Sequence, residues 1–234
     1  MRKAKINMQA VILCAGLGTR LRPLTLTTPK ALIPIGDKTL IEHTLNALPS
    51  VIDEIFIVIN YLGDQIKAKI GNEYHSIPVR YITQDPLNGT GGAMDVLKDR
   101  LHDRFLVLNG DDLYPYKSLE EMTRFTTSIL LRPTSKHLMN GAKLNQHDQF
   151  IGLTESTDSE SYRVCGAYIL DQTYFTIPPV KIEGSEHEEY GLPQTLAVLA
   201  ANHPINVIMT NEWFPIGTPE ELKDVKNAYS EKNT

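Results

Sequence analysis

The sequence predicts an α/β protein with a mostly parallel central sheet, helices on both of its faces and a mixed-sheet lobe in the second half. Two observations carry this. Through the first half, short β-branched or aliphatic runs alternate with amphipathic segments, the pattern of βαβ units. After residue 125 the runs follow one another with only short polar loops between them, which reads as hairpins and mixed sheet. The chain has 234 residues, 41% hydrophobic and 22% charged. That is ordinary globular usage, and at roughly 150 residues per domain it is one large domain.

The strands of the first half are QAVILCA (9–15), EIFIVIN (54–60), PVRYIT (78–83) and RFLVLNG (104–110), with helices at 39–48, 63–71 and 91–98. TTSILLR (126–132), GAKLN (141–145), FIGL (150–153) and RVCGAYIL (163–170) supply the later strands, and another precedes WFPIGTPEE (213–221). A last helix opens with Thr218, Pro219 and Glu221, a capping box with proline at the first helical position, and sets Leu222, Val225 and Tyr229 on one face. Residues 1–7 then read as a frayed extension, 8–229 as a single domain and 230–234 as a polar tail. The start MRKAKIN followed by an apolar run resembles a lipoprotein leader, but Leu13 precedes Cys14 where a small residue belongs and a glycine loop follows at once. No stretch reaches the ~20 apolar residues of a membrane helix, so a soluble chain is expected.

Lys and Arg number 23 against 28 Asp and Glu, a net charge of −5. This excludes non-specific nucleic-acid binding, which cationic surfaces drive through counterion release. Any phosphate must be captured locally. Cys14 and Cys165 both lie in apolar runs, as expected of buried, reduced thiols in a cytoplasmic protein.

Ligands of parallel sheets bind beyond the carboxyl ends of the strands. The loop after the first strand, CAGLGTRLRPLT, has glycines at 16 and 18 followed by Thr19 and Arg20. It is neither a dinucleotide fingerprint, since Leu21 stands where a third glycine belongs, nor a Walker loop. Its backbone can approach a phosphate chain while Arg20 holds two phosphate oxygens in its fork, with Lys30 a second cation; alone, the same turn serves as a plain strand-to-loop connection. A second loop carries Gly89, Gly91 and Gly92, with Thr90 placed to cap the helix bearing Ala93, Val96 and Leu97. Gln84, at the strand end before it, is either a solvated terminus or an amide for a nucleobase edge. Asp111, after Asn109 and Gly110, is either a turn former or a ligand for Mg²⁺, which takes one or two carboxylates plus substrate phosphates. The sequence HEEYG (187–191) fails as a zinc motif at Gly191, the segment from Glu183 to Glu189 reads as a solvated acidic face, and the seven histidines show no ligand spacing.

Taken in order, CAGLGTRLRPLTLTTPK, QDPLNGTGGAM, LVLNGDD, GAYIL and WFPIGTPEEL closely resemble the sugar-nucleotidyltransferases, the nucleoside-diphosphate-sugar pyrophosphorylases, over nearly the whole chain. The resemblance implies a Rossmann-like domain with a sugar-binding lobe, joining a nucleoside triphosphate to a sugar 1-phosphate with release of pyrophosphate. It implies that Arg20, Lys30 and Asp111 are catalytic, with Asp111 holding Mg²⁺. Leu13, Ala15, Gly16, Gly18, Thr19, Gln84, Gly89 and Thr90 would bind the nucleotide, and Gly141 and Glu155 the sugar. The amide of Gln84 suits uracil or thymine, whose N3 donor lies beside an acceptor, better than guanine with its two adjacent donors. UTP or dTTP is therefore the expected donor.

The chain departs from the family pattern at three places. Ser156 follows the sugar-site glutamate where lysine is usual, Val164 stands where many members have asparagine, and Pro215 replaces a metal-binding aspartate. The alternatives are a guanylyl- or cytidylyltransferase of the same family, a cytidylyltransferase for a non-sugar phosphate, and a nucleotide-binding protein without turnover.

Overall fold

The computed structural model describes residues 7–156, 161–185, 187–203 and 205–232. Residues 1–6 of the expected extension, and 233–234 of the expected tail, lie outside them. Nine strands carry the architecture: β1 (Met8–Leu13), β2 (Ile52–Ile59), β3 (Ile77–Thr83), β4 (Arg104–Asn109), β5 (Ser128–Thr134), β6 (Leu138–Leu144), β7 (Phe150–Ser156), β8 (Ser161–Asp171) and β9 (Asn206–Met209). The main sheet runs β9-β5-β8-β4-β1-β2-β3, with the two-residue strand Glu73–Tyr74 on its outer edge. β4, β1, β2 and β3 are parallel, as are β9 and β5. β8 is antiparallel to both its neighbours, β4 and β5. β6 and β7 form a separate antiparallel hairpin. This is the mixed sheet expected of the second half.

Successive side chains of a strand point to opposite faces, and the core divides accordingly. Ala10, Ile12, Ile57, Leu106 and Leu108 meet α1 (Leu40–Asn46), α2 (Gly63–Ile70) and α4 (Tyr116–Met122) on one face. Val11, Phe56, Val58, Phe105 and Val107 meet α3 (Gly89–Asp95), α5 (Leu192–Ala200) and the hairpin on the other. A third cluster joins Leu21, Ile33, Ile35 and Ile216 to Leu222 and Val225 of α6 (Pro219–Lys232). Leu222 and Val225 form the buried face expected of the last helix; the side chain of Tyr229 lies outside the described residues. The Thr218 hydroxyl accepts from the Glu221 amide at 3.2 Å, one half of the expected capping box; the other half is not formed, because the Glu221 carboxylate accepts from the Gly217 amide at 2.7 Å. Thr39 and Glu42 form a reciprocal capping box at α1. Among the described residues no helix is long and apolar enough to cross a membrane.

Candidate active site

The chain places β2 and β3 on one side of β1 and then crosses back to lay β4 on the other. The sheet therefore changes winding direction between β1 and β4, and the crevice beyond their carboxyl ends is where such sheets hold ligands. The loop after β1 and the Asn109–Asp111 turn after β4 meet there, with the Gly110 amide donating to the Leu13 carbonyl at 2.9 Å. The turn must be glycine at 110, because a Cβ would sit 2.2 Å from the Cys14 sulfur.

Lys30 and Asp111, 81 residues apart, form an ion pair in this crevice. The lysine side chain is 11% exposed and the aspartate 35%, so the pair lines the opening with Asp111 on the wetter side. Gly18 makes this possible. Its φ is +62°, a Cβ on it would lie 3.3 Å from Lys30 Cβ and 2.9 Å from Thr25 Cγ2, and its carbonyl accepts the Thr25 hydroxyl at 2.7 Å. Gly16, by contrast, is exposed, with open space where its Cβ would be. Asp112 turns inward. Burial, then the charge of Asp111, hold its carboxyl well above the usual carboxylate range, against the opposing pull of Lys30, the Trp213 indole and the Ile216 amide. The Tyr114 hydroxyl lies 3.4 Å from Asp112 and donates to the Gly166 carbonyl at 3.1 Å, tying the turn to the middle of β8. Burial, reinforced by Asp111, also pushes the Cys14 thiol up, and both cysteines are free.

The second glycine loop has a structural role as well. A Cβ on Gly89 would come within 2.5 Å of the Tyr190 carbonyl, and one on Gly91 within 3.1 Å of the same residue. The glycines thus seat the backbone of Tyr190, whose amide donates to the Asn88 carbonyl at 2.8 Å. Gln84 is buried, and its amide nitrogen donates to Asn88 Oδ1 at 3.1 Å and to the Gly89 carbonyl at 2.9 Å, so it fixes the loop's shape. Thr90 corrects the expectation from sequence. It lies inside α3 rather than capping it, and its hydroxyl accepts from the Leu192 amide at 3.0 Å, holding the start of α5. Its partner is 102 residues away, which local spacing does not reveal.

Gly141 pairs with Thr154 across the hairpin, next to Glu155, so the two sugar-site candidates are neighbours. Glu155 is exposed and bonded to His137 at 3.1 Å. Val164 sits on β8 opposite Leu131, just before the bulge at Cys165–Ala167. Pro215 pairs with Asp112 in a two-residue ladder, which places this departure beside the crevice. Arg20 is exposed, and both its terminal nitrogens lie 3.4 Å from where a Gly217 Cβ would be. Sequence reasoning missed Tyr114 and Tyr190 as site builders; an aromatic two residues after the GDD turn was the available signal for the first. Among the described residues no group of three or more His, Cys, Asp or Glu is placed to hold a metal, and Asp111 stands as a single candidate ligand.

A family model described as nucleotidyl transferase matches residues 9–232. The chain belongs to the nucleotidyl transferase family. Relatives within it include the bifunctional protein GlmU of Methanococcus maripaludis, 31% identical over 232 residues that cover 96% of this chain and 55% of that protein. A protein of Arabidopsis thaliana, named a probable mannose-1-phosphate guanylyltransferase, is 40% identical over 129 residues, covering 50% of this chain and 35% of its own. A UDP-glucose pyrophosphorylase solved with UDP-glucose shares the fold, with a TM-score of 0.79 at 22% identity over 97% of this chain and 99% of that one. The chain spans about half the length, 55%, of the GlmU relatives.

Proposed function

We propose that this chain is a sugar-1-phosphate nucleotidylyltransferase that takes UTP or dTTP, releases pyrophosphate and forms the nucleoside-diphosphate sugar. The observation that carries the reading is the Lys30–Asp111 ion pair beneath the Gly16–Gly18 loop at the switch point, with exposed Arg20 in the adjoining loop. Two cations and one carboxylate around an open glycine loop match the needs of a polyphosphate.

In the reaction an oxygen of the sugar phosphate attacks the α-phosphorus, the bond from that phosphorus to the β-bridging oxygen breaks, and the electron pair leaves on pyrophosphate. No nucleophilic side chain is needed, because positioning and charge neutralisation do most of the work in such transfers. The Arg20 fork holds the β- and γ-phosphates. Lys30, an ammonium with three donors, keeps Asp111 with one and turns another to the phosphates. The donor set also fits Mg²⁺, since Asp111 is half-buried and Mg²⁺ binds through as little as one carboxylate when phosphates and water complete its shell. Asp111 would hold that ion, which when bound neutralises charge on the reacting phosphates.

Leu13, Ala15, Gly16, Gly18, Thr19, Gly89 and Thr90 frame the nucleotide in this reading, and Gly141 and Glu155 the sugar. With both N–H groups of Gln84 spent on Asn88 and Gly89, its carbonyl oxygen is the group left to accept from N3–H of uracil or thymine. Free, unpaired thiols accord with a cytoplasmic setting. The test is pyrophosphate release with a panel of triphosphates and sugar 1-phosphates at high Mg²⁺. Higher kcat/KM with UTP or dTTP than with GTP, and a shift towards GTP in Gln84→Glu, support the assignment. Binding of UTP without release of pyrophosphate from any pair would instead establish a nucleotide-binding protein, the reading that Pro215 favours.

A further inference from the structure

We infer that Glu221 is a positioning residue for Arg20, acting through Gly217. The inference rests on the phosphate-binding role proposed for Arg20. That arginine leaves a three-residue turn, Thr19–Leu21, as an exposed side chain. A long side chain carries about 2 kcal/mol of rotamer entropy, so a wall that limits its rotamers before phosphate arrives raises affinity. Gly217 is that wall. A Cβ there would lie 3.4 Å from both terminal nitrogens of Arg20, so the guanidinium packs against bare main chain.

Gly217 is in turn fixed by Glu221. Its amide donates to Glu221 Oε2 at 2.7 Å. The same carboxylate oxygen lies 3.1 Å from the Gly217 Cβ position, so carboxylate and guanidinium flank one small volume. The main-chain amide of Glu221 donates to the Thr218 hydroxyl at 3.2 Å, a bond that caps the helix without touching the carboxylate, and the other carboxylate oxygen lies 3.8 Å from Arg163 Nη1. Arg163 rests over the Trp213 ring, 5.1 Å from its centroid. A capping-box carboxylate ordinarily returns to the amide of the cap residue. Here it reaches one residue further back, to the glycine under the arginine. The consequence is an Arg20 held in place with its fork left for phosphate.

The experiment measures kcat and KM for each substrate in Glu221→Ala, Glu221→Gln, Thr218→Ala, Arg20→Ala and the Glu221→Ala/Arg20→Ala pair. Coupling between residues in one network predicts about a tenfold loss of kcat/KM for the triphosphate in Glu221→Ala, and no further loss once Arg20 is gone. The KM for sugar 1-phosphate stays unchanged. Gln at 221, whose amide oxygen accepts the same bond, recovers most of the loss. Thr218→Ala removes a cap from the same helix, and as a mere stability change it leaves triphosphate kcat/KM within about twofold. Equal losses in Glu221→Ala and Thr218→Ala, or a Glu221→Ala loss that persists undiminished without Arg20, would overturn the inference. An Arg20→Ala variant with unchanged triphosphate kcat/KM would overturn the role of Arg20 itself. A loss in Arg20→Ala with none in Glu221→Ala would overturn only the positioning.

Discussion

Replacing Gly18 with alanine tests whether the first loop is shaped by backbone geometry or only by its ligand. At φ +62° a Cβ costs ~1–2 kcal/mol. Contact at 2.9 Å with Thr25 Cγ2 adds an overlap cost of ~1–3 kcal/mol, because Thr25 is 2% exposed and has nowhere to go. The total of ~2–5 kcal/mol is a large part of the ~5–15 kcal/mol that holds a typical domain together. With an m-value of ~2–3 kcal/mol per molar in urea, the unfolding midpoint falls by about 1 M or more. The two contributions separate in a cycle. Thr25→Ser keeps the hydroxyl that donates to the Gly18 carbonyl but removes the crowded methyl. Alone it loses about 1 kcal/mol of burial, while in Gly18→Ala/Thr25→Ser it restores the overlap part, leaving the φ penalty. Strictly additive effects, or a Gly18→Ala midpoint equal to wild type, would refute this account. Gly16→Ala is the matched control. With open space around its Cβ it changes stability by no more than about 0.5 kcal/mol, yet it raises the triphosphate KM if phosphates lie against that backbone.

Three further outcomes follow from the geometry. Asp111→Ala lowers kcat by about two orders of magnitude or more in steady-state pyrophosphate release, since it removes a carboxylate from an ion that stabilises developing charge; a variant retaining most of its kcat removes Asp111 from the metal site. Pro215→Asp places a third carboxylate beside Asp111 and Asp112, so the variant melts lower than wild type without metal and gains about 2.7 kcal/mol at a Mg²⁺ concentration 100 times its Kd; a melting temperature indifferent to Mg²⁺ shows that position 215 does not face the ion. Burial raises the Glu54 carboxyl, but hydrogen bonds from Arg80 and Gln9 and the charge of Arg80 outweigh it and leave it below its ordinary value. Its stabilisation is thus full above the ordinary carboxylate pKa and is lost as pH falls through the depressed one, so Glu54→Gln flattens the acid limb of a stability–pH curve measured in urea.

The parallel half of the fold was legible because β1, β2 and β4 are buried on both faces and read as unbroken apolar runs. α5 was not foreseen. Its sequence, LPQTLAVLA, is apolar on most sides, so it lacks the polar stripe that distinguishes a surface helix from a strand. α4 buries only Leu119 and Met122, and two apolar positions make no repeating stripe. The place of β8 between β4 and β5 follows from tertiary packing, which no local pattern encodes. Around the candidate site, Arg20, Lys30 and Asp111 were legible as charges in the loops that follow β1 and β4, and the ion pair between Lys30 and Asp111 brings two of them together. The seat of Tyr190 on Gly89 and Gly91 was not, because glycine marks a close approach without naming what approaches. Thr90 was misread for the same reason: a hydroxyl at a helix start signals a cap, and here the amide it serves belongs to a distant segment.

β8 is made after both strands that it separates. Until Ser161–Asp171 leaves the ribosome, one edge of β4 presents unpaired amides and carbonyls beside Phe105, Leu106, Val107 and Leu108, all fully buried in the finished protein. An open apolar edge is a template for pairing with another chain or with the wrong strand of the same one. β5 is already available then, and if it docks on β4 directly the sheet closes in an order that shuts β8 out. At ~5–20 residues per second this interval lasts several seconds of each synthesis, long enough for neighbouring nascent chains to meet. The yield of folded protein therefore depends on how promptly the chain from Thr134 to Asp171 follows β5, and on whether a chaperone covers β4 in the meantime.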